Sequence, residues 1–233
     1  MSKVTSITKE IYQSGYKKKK SNIERKYPNE ELCRFFGRNF FSIKSNLRKK
    51  KKILETGCGM SNNLRMISEE GFSAYGIDIS EEAIKLSENL FKKKGLKGNF
   101  TAGDFTHTSY KNNFFDCVVD IFSSCSLDKT QGEKYVKEVR RILKKKGKFF
   151  SYFPSKKSDM FRFKFQKVFD KDTIMCLKKS AYSNHPLRFM TMTQYCNLLK
   201  KNNFSVNYKE ELMRTYFSGK EKFYFLVIEV SKI

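Results

Sequence analysis

The stretch Ile53-Leu54-Glu55-Thr56-Gly57-Cys58-Gly59-Met60-Ser61 is an apolar run that ends on an acid and breaks into a glycine turn, and nineteen residues past Gly59 the run Tyr75-Gly76-Ile77 ends on Asp78. A turn this tight, leaving a strand and opening a helix, needs backbone that can take positive φ and admit a ligand without a Cβ in the way. A carboxylate at the end of the second strand is placed to hold ribose hydroxyls. Gly-x-Gly alone is a weak signal, but strand, turn, helix, strand and acid in this order describe a nucleoside-binding crevice in an α/β fold.

The flanking pattern extends that unit. Asn29 is placed to cap a helix whose first turn carries Glu30 and Glu31 and whose apolar residues Leu32, Phe35, Phe36 and Phe40 recur at helical spacing. Strands are expected at 52–55, 73–78, 99–102, 115–122 and 148–153, with helices at 62–70, from Ser80 to Gly95, and at 132–145. The run 115–122 is apolar almost throughout, as a strand covered on both faces must be. Pro154 ends the fifth strand. Segment 155–188, charged and irregular in its aromatic spacing, reads as an insertion expected to fold over the crevice as a lid. A helix at 193–202 and strands at 204–212 and 222–230 about a Gly219 turn complete the chain.

These residues resemble the class I S-adenosylmethionine-dependent methyltransferases, whose first motif, acid-x-Gly-x-Gly-x-Gly, matches Glu55, Gly57 and Gly59, with Ser61 where the third glycine stands. A serine is small enough for the loop to persist. Gly103-Asp104-Phe105, the run from Phe114 to Asp120 and Arg140 to Phe149 are similar to later parts of the family's core, so the resemblance covers about residues 50–153 and a C-terminal pair of strands. Within the family the likeness is to small-molecule enzymes of the methyltransferase type 11/25 kind. Tyr12-Gln13-Ser14-Gly15-Tyr16 and Tyr27-Pro28-Asn29-Glu30-Glu31 are similar to the lead-in of enzymes acting in bacterial polysaccharide and natural-product pathways.

The resemblance implies an α/β, Rossmann-like, doubly wound sheet, mostly parallel, in the order 3-2-1-4-5-7-6 with an antiparallel C-terminal hairpin. It implies one domain over 1–233: a helical lead-in (1–48), a cofactor-binding core (50–153), the lid insertion (155–188) and a C-terminal helix and strand pair (189–233). The implied donor is S-adenosyl-L-methionine and the product S-adenosyl-L-homocysteine. On that pattern Glu55, Gly57, Cys58, Gly59 and Ser61 hold the amino-acid end, Asp78 and Ile79 the ribose, Asp104 and Phe105 the adenine, and Asp120 lies near the sulfonium. Tyr12 and Tyr16 cover the cofactor from the N-terminal side. Methyl transfer needs alignment and exclusion of water, and a base only where a hydroxyl must lose its proton. Of the two histidines, His107 follows Asp104 in a polar loop, and His185, in the lid, is the candidate base; Asp120, near the sulfonium on the family pattern, is the second candidate catalytic residue.

A formal charge of +24 suggests an anionic partner, but lysines outnumber arginines 38 to 10 and lie in scattered runs at 17–20, 49–52, 92–94 and 144–146. The last two precede Gly95 and Gly147, where cations and glycine suit a helix C-terminus. A solvated surface is therefore the favoured reading of the charge. A nucleic-acid acceptor is the alternative, although Asp120-Ile121-Phe122-Ser123 lacks the Asn/Asp-Pro-Pro-aromatic motif of enzymes acting on exocyclic base amines, and no prolyl-cysteine nucleophile is present. A small-molecule acceptor is preferred. A nicotinamide dehydrogenase is disfavoured by Asn62 at its third glycine position and by a Tyr16-x-x-x-Lys20 upstream of the loop, and a non-catalytic binding protein by the retention of Glu55, Gly57, Gly59 and Asp78 together. The six cysteines read as buried thiols of a reducing compartment, no metal site is expected, and no apolar run approaches the ~18 residues of a membrane span. The expected location is cytoplasmic; oligomeric state is unread.

Overall fold

In a computed structural model whose described residues are 2–19 and 27–233, three helices come first: α1 (Lys3–Lys19), α2 (Glu30–Asn39) and the short α3 (Ser45–Arg48). Lys20, which ends the first lysine run and the Tyr-x-x-x-Lys, lies outside the described residues. Then follow β1 (Lys52–Thr56), α4 (Asn62–Glu69), β2 (Ser73–Asp78), α5 (Glu81–Lys93), β3 (Gly98–Ala102), β4 (Phe115–Ile121), α6 (Lys129–Ile142) and β5 (Leu143–Pro154). The insertion supplies β6 (Gln166–Val168), β7 (Thr173–Cys176) and β8 (Pro186–Arg188), and α7 (Met192–Lys201), β9 (Phe204–Tyr216) and β10 (Glu221–Lys232) close the chain.

The main sheet runs β3-β2-β1-β4-β5-β10-β9, with the first five strands parallel and β10 antiparallel to both β5 and β9. Counted without the insertion this is the expected 3-2-1-4-5-7-6, and the fold is the Rossmann-like one anticipated. Cys117, Val118 and Val119 of the central β4 have no accessible surface, which is why that strand reads as a continuous apolar run. Phe35 of α2 stacks on Phe150 of β5 with ring centroids 4.8 Å apart, and truncating such a buried ring costs about 3–5 kcal/mol.

Local signals account for most boundaries. The Asn29 side chain accepts from the amides of Glu31 and Leu32, and the Ser80 hydroxyl from that of Ala83, so both cap helices as expected. The reading of Gly147 as a helix cap is corrected. Helix α6 starts earlier, at a cap made by Asp128, and stops at Ile142. Residues 143–146 belong to β5, and the left-handed position is taken by Lys146 (φ 61°). Pairing of Phe115 with Leu143 captures a stretch whose local composition favours helix. At Gly95 (φ 63°) the cap is present.

The insertion folds as a three-stranded antiparallel sheet, and a buried cation is among its ties to the core. Arg188 on β8 is 3% exposed, lies over the Phe153 ring, and donates from Nη1 to the carbonyls of Asp128 (3.4 Å) and Lys129 (3.3 Å). It occupies the space a side chain at position 132 would need, since a Cβ on Gly132 would stand 1.9 Å from Nη1.

All six cysteines are free thiols, five buried and Cys33 half-buried. Among the described residues no helix is long and apolar enough to cross a membrane.

Candidate active site

The carboxyl ends of β1, β2, β3 and β4 meet at one edge of the sheet, where the order reverses, so side chains just past them share a crevice. The turn after β1 is drawn in tightly. Gly57 (φ 66°) and Gly59 (φ 52°) are both left-handed, and the amides of Gly57 and Cys58 donate to Ile77 O at 2.8 and 3.1 Å. Asp78 then pins the turn from the neighbouring strand, its Oδ2 accepting from Gly59 N at 2.9 Å and its Oδ1 from Ser80 N at 2.9 Å. Each carboxylate oxygen retains a lone pair for a ligand. A Cβ on Gly57 would lie 2.4 Å from Ser123 Cβ and Oγ, and one on Gly59 2.6 Å from Tyr16 Oη.

A cavity of about 630 Å³ runs along this edge. Its walls bring together most of the residues singled out in the sequence: Glu55, Gly57, Cys58, Gly59, Asp78, Ile79, Asp104, Phe105 and Tyr16 all line it. Asp104 Oδ1 accepts from Thr106 N at 2.8 Å, and Phe105 packs edge-on against Tyr135, which fixes its ring as a wall. Further lining comes from Thr8, Tyr12, Asn63, Phe122 and Leu127, and from Glu30 and Arg214.

Three sequence-predicted residues stand elsewhere. Asp120 is fully buried behind the crevice. Its Oδ1 accepts from the amides of Ser123 (3.0 Å) and Ser124 (2.9 Å), and its Oδ2 from the hydroxyls of Ser124 and Ser151, so it is the strut of the turn after β4 rather than a cavity residue. The cause is register. Asp120 is level with Thr56 and Ile77, one residue short of Asp78, and one residue turns a side chain to the opposite face of the sheet. Ile121 and Phe122 reach the cavity instead. His185 is also outside it, packed against the outer side of Tyr12 with centroids 5.4 Å apart. Ser61 (φ 60°) keeps the left-handed geometry of the missing glycine, but its hydroxyl turns inward to Ser87 Oγ at 2.8 Å. Nor does the insertion cover the crevice. Among the described residues none of 155–188 lines the cavity, and α1 forms that wall, tied down by Thr8 Oγ1 to Ser126 O (3.3 Å) and by Ser80 Oγ to Gln13 Oε1 (2.6 Å).

Glu55 is the electrostatic outlier. Asn63 Nδ2 donates to its Oε1 at 2.6 Å, while Oε2 is buried with no hydrogen-bond partner. Burial pushes its carboxyl up to about 8, Asn63 pulling the other way and Asp78 and Asp120 adding to the rise. Asp78 is raised by burial too, against the amides of Ser80 and Gly59. Burial raises the phenol of Tyr12 to about 12 and also lifts Tyr16, so both walls present O–H donors at neutral pH. A buried acid with an empty oxygen, and a loop whose glycines leave no room for a Cβ, fit a ligand with a cationic head and a flat nucleoside.

Sequence reasoning did not find Asn63, Phe122, Leu127 or Arg214. The first two lie two residues past motifs that were read, at Ser61 and Asp120, whereas Arg214 comes from β9, at the opposite edge of the sheet, and only the fold brings it near.

Residues 53–147 match the family model described as a methyltransferase domain. The chain is 31% identical over 98 residues, 41% of its length, to norajmaline N-methyltransferase of Rauvolfia serpentina, and it spans 33% of the length of that curated relative. Among solved structures it is similar to an S-adenosylmethionine-dependent methyltransferase from Methanosarcina mazei (TM-score 0.66, 22% identity, 78% of this chain and 92% of that one). It is also similar to 1,6-didemethyltoxoflavin-N1-methyltransferase of Burkholderia thailandensis, solved with 1,6-didemethyltoxoflavin and S-adenosylhomocysteine (TM-score 0.65, 13% identity, 98% and 88%). At these identities the structural likenesses speak for the fold. Together with the glycine turn pinned by a second-strand acid and a sheet in the expected order, the matched core identifies residues 53–147 as a methyltransferase domain of the class I, S-adenosylmethionine-dependent kind.

Proposed function

We propose that the cavity binds S-adenosyl-L-methionine and that the protein moves its methyl group to an oxygen or nitrogen of a small-molecule acceptor. The observation that carries this reading is a reversal of charge. In a chain of net charge +24, the described cavity lining holds four acids, Glu30, Glu55, Asp78 and Asp104, and a single cation, Arg214. A donor that carries both a sulfonium and an ammonium is the kind of ligand such a lining suits.

On this reading Asp78 takes the ribose hydroxyls on its remaining lone pairs, Asp104 and Phe105 hold the adenine edge and face, and the Gly57–Gly59 backbone lies against the amino-acid end. The free Oε2 of Glu55 meets the ammonium, and that pairing stabilises the carboxylate which burial alone disfavours. Tyr16 and Tyr12 close the site from α1. Transfer is an in-line displacement in which the carbon–sulfur bond breaks as the acceptor's lone pair forms the new bond, leaving S-adenosyl-L-homocysteine. The protein contributes alignment and exclusion of water. With His185 outside the cavity and both phenols held protonated, the described lining offers a base only among its carboxylates.

The names of curated relatives support a small acceptor, since they give norajmaline and a sterol as the molecules methylated. The basic exterior favours a second reading in which RNA is methylated; salt-sensitive binding competed by RNA but not by small anions would select it. A non-catalytic role on the same fold is the third. Titration calorimetry with S-adenosylhomocysteine tests the donor site: saturable heat and a rise in Tm that grows with ligand concentration are expected, and the absence of both removes the enzymatic reading.

A further inference from the structure

We propose that the acceptor carries an anionic group, a phosphate or a carboxylate, and that Arg214 is the residue that recognises it. The inference rests on the methyltransferase reading and extends it to the substrate class. Arg214 is the one cation among the described residues lining the cavity, although the chain has 48 lysines and arginines. It stands on β9 opposite Phe223 and lines the cavity. Its recorded partner among the described residues is Glu30 Oε2 at 3.7 Å, and the two side chains are 47% and 75% exposed. A pair this long and this wet is worth little, so a planar fork of five N–H donors faces the cavity largely uncommitted.

The aromatic surroundings of Arg214 argue for the acceptor as its ligand, while its ion-pair partner Glu30 follows Asn29, whose amide donates to Asn63 Oδ1 at 2.8 Å, so the donor's own carboxylate is the competing ligand. The donor's amino-acid end is assigned to the turn after β1, where backbone amides and Asn63 cluster. Arg214 reaches in from the opposite sheet edge, across β4, β5 and β10 in the strand order. Its neighbours there suit a ring or chain: Phe122 lines the cavity and packs on Tyr182 (4.7 Å), whose hydroxyl meets that of Tyr216, two residues along the same face of β9 from Arg214. A guanidinium binds phosphate and carboxylate through two parallel hydrogen bonds, which fixes orientation as well as position. The charge of +24 has a use on this view: it draws an anionic acceptor toward the mouth, while the acids deeper in the cavity reserve the donor end for a cation.

The test uses the full-length protein saturated with S-adenosylhomocysteine and titrated with glucose 1-phosphate, glucuronate and, as the neutral counterpart, glucose. The two anions are expected to bind at least about tenfold more tightly than glucose, and the ratio between them tells phosphate from carboxylate. Arg214→Gln is expected to erase that advantage while Tm and S-adenosylhomocysteine affinity hold. Arg214→Lys should fall between, and Glu30→Gln should tighten anion binding by removing the competing carboxylate. Anions that bind no better than glucose, or equally well to Arg214→Gln, overturn the proposal. So does a loss of S-adenosylhomocysteine affinity in Arg214→Gln, which would hand the cation to the donor's own carboxylate. Failure of the native protein to bind S-adenosylhomocysteine strikes instead at the methyltransferase reading beneath it.

Discussion

The two ends of the cavity are made of different material. At the donor end the contacts are backbone: two glycines in left-handed conformation, amides of Gly57 and Cys58 on Ile77 O, and an Asp78 carboxylate that holds Gly59 N and Ser80 N. At the other end the walls are side chains, contributed by Phe122 and by Arg214 of β9. Backbone geometry tolerates almost no substitution, whereas a wall of side chains can be rebuilt one residue at a time. A family can therefore keep one donor and change acceptors. The difference also says where damage should be severe.

The sharpest test of that contrast is Gly57→Ala, which adds strain at φ 66° and drives a methyl to 2.4 Å from Ser123. It is expected to weaken S-adenosylhomocysteine on the order of a hundredfold, about 3 kcal/mol. Gly95→Ala at φ 63°, with open space around it, should cost only about 1 kcal/mol of stability and leave affinity alone. Calorimetry that shows equal affinities in the two variants would break the comparison. Asp78→Ala comes next: it leaves two buried amides without an acceptor, and roughly ten- to hundredfold in affinity should go with them.

A third effect is set by pH. Glu55, ordinarily near 4.5, is raised to about 8, so the folded protein holds a proton that the unfolded chain releases. The stability this contributes is complete below the ordinary value and drains away as pH rises toward 8, at up to about 1.4 kcal/mol per pH unit. Buried Asp78 and Asp120 shift in the same direction. The ligand-free Tm should thus fall between pH 5 and 8, and Glu55→Gln should flatten the upper part of that slope. Ligand affinity should move oppositely, rising toward pH 8 with proton release that calorimetry in two buffers of different ionisation heat can count. A pH-independent affinity would detach Glu55 from the ammonium.

The smallest change is expected from His185→Ala, which removes a ring from the outer side of Tyr12. Affinity for S-adenosylhomocysteine should shift less than about threefold, with about 1 kcal/mol of stability lost. A collapse of donor binding there would mean that the side-chain wall of α1 is as intolerant as the glycine turn.

What the sequence disclosed follows the same division. Strand β2 falls on its expected residues, and Asn29, Ser80, Gly57, Gly59 and Gly95 act where they were read, because caps and left-handed turns are written into residue type. Asp120 was misplaced because ending a strand in an acid does not say which face the acid takes; only the pairing of Thr56 with both Ile77 and Asp120 does. Strands of three and four residues, such as β6, β7 and β8, are too short for alternation to register. Residues 143–146 carry helix-forming lysines yet enter β5, since pairing with β4 outweighs local preference. Arg214 was invisible for a simpler reason: nothing local marks an arginine on the edge strand β9 as belonging to a cavity built at the ends of β1 to β4.

The interlock of Arg188 with Gly132 ties together two positions fifty-six residues apart. A single methyl on α6 would evict a buried guanidinium, and shortening the arginine alone would open a hole beside a helix start. Neither residue can drift by itself; they are expected to be replaced only in concert, as a lock and its key would be.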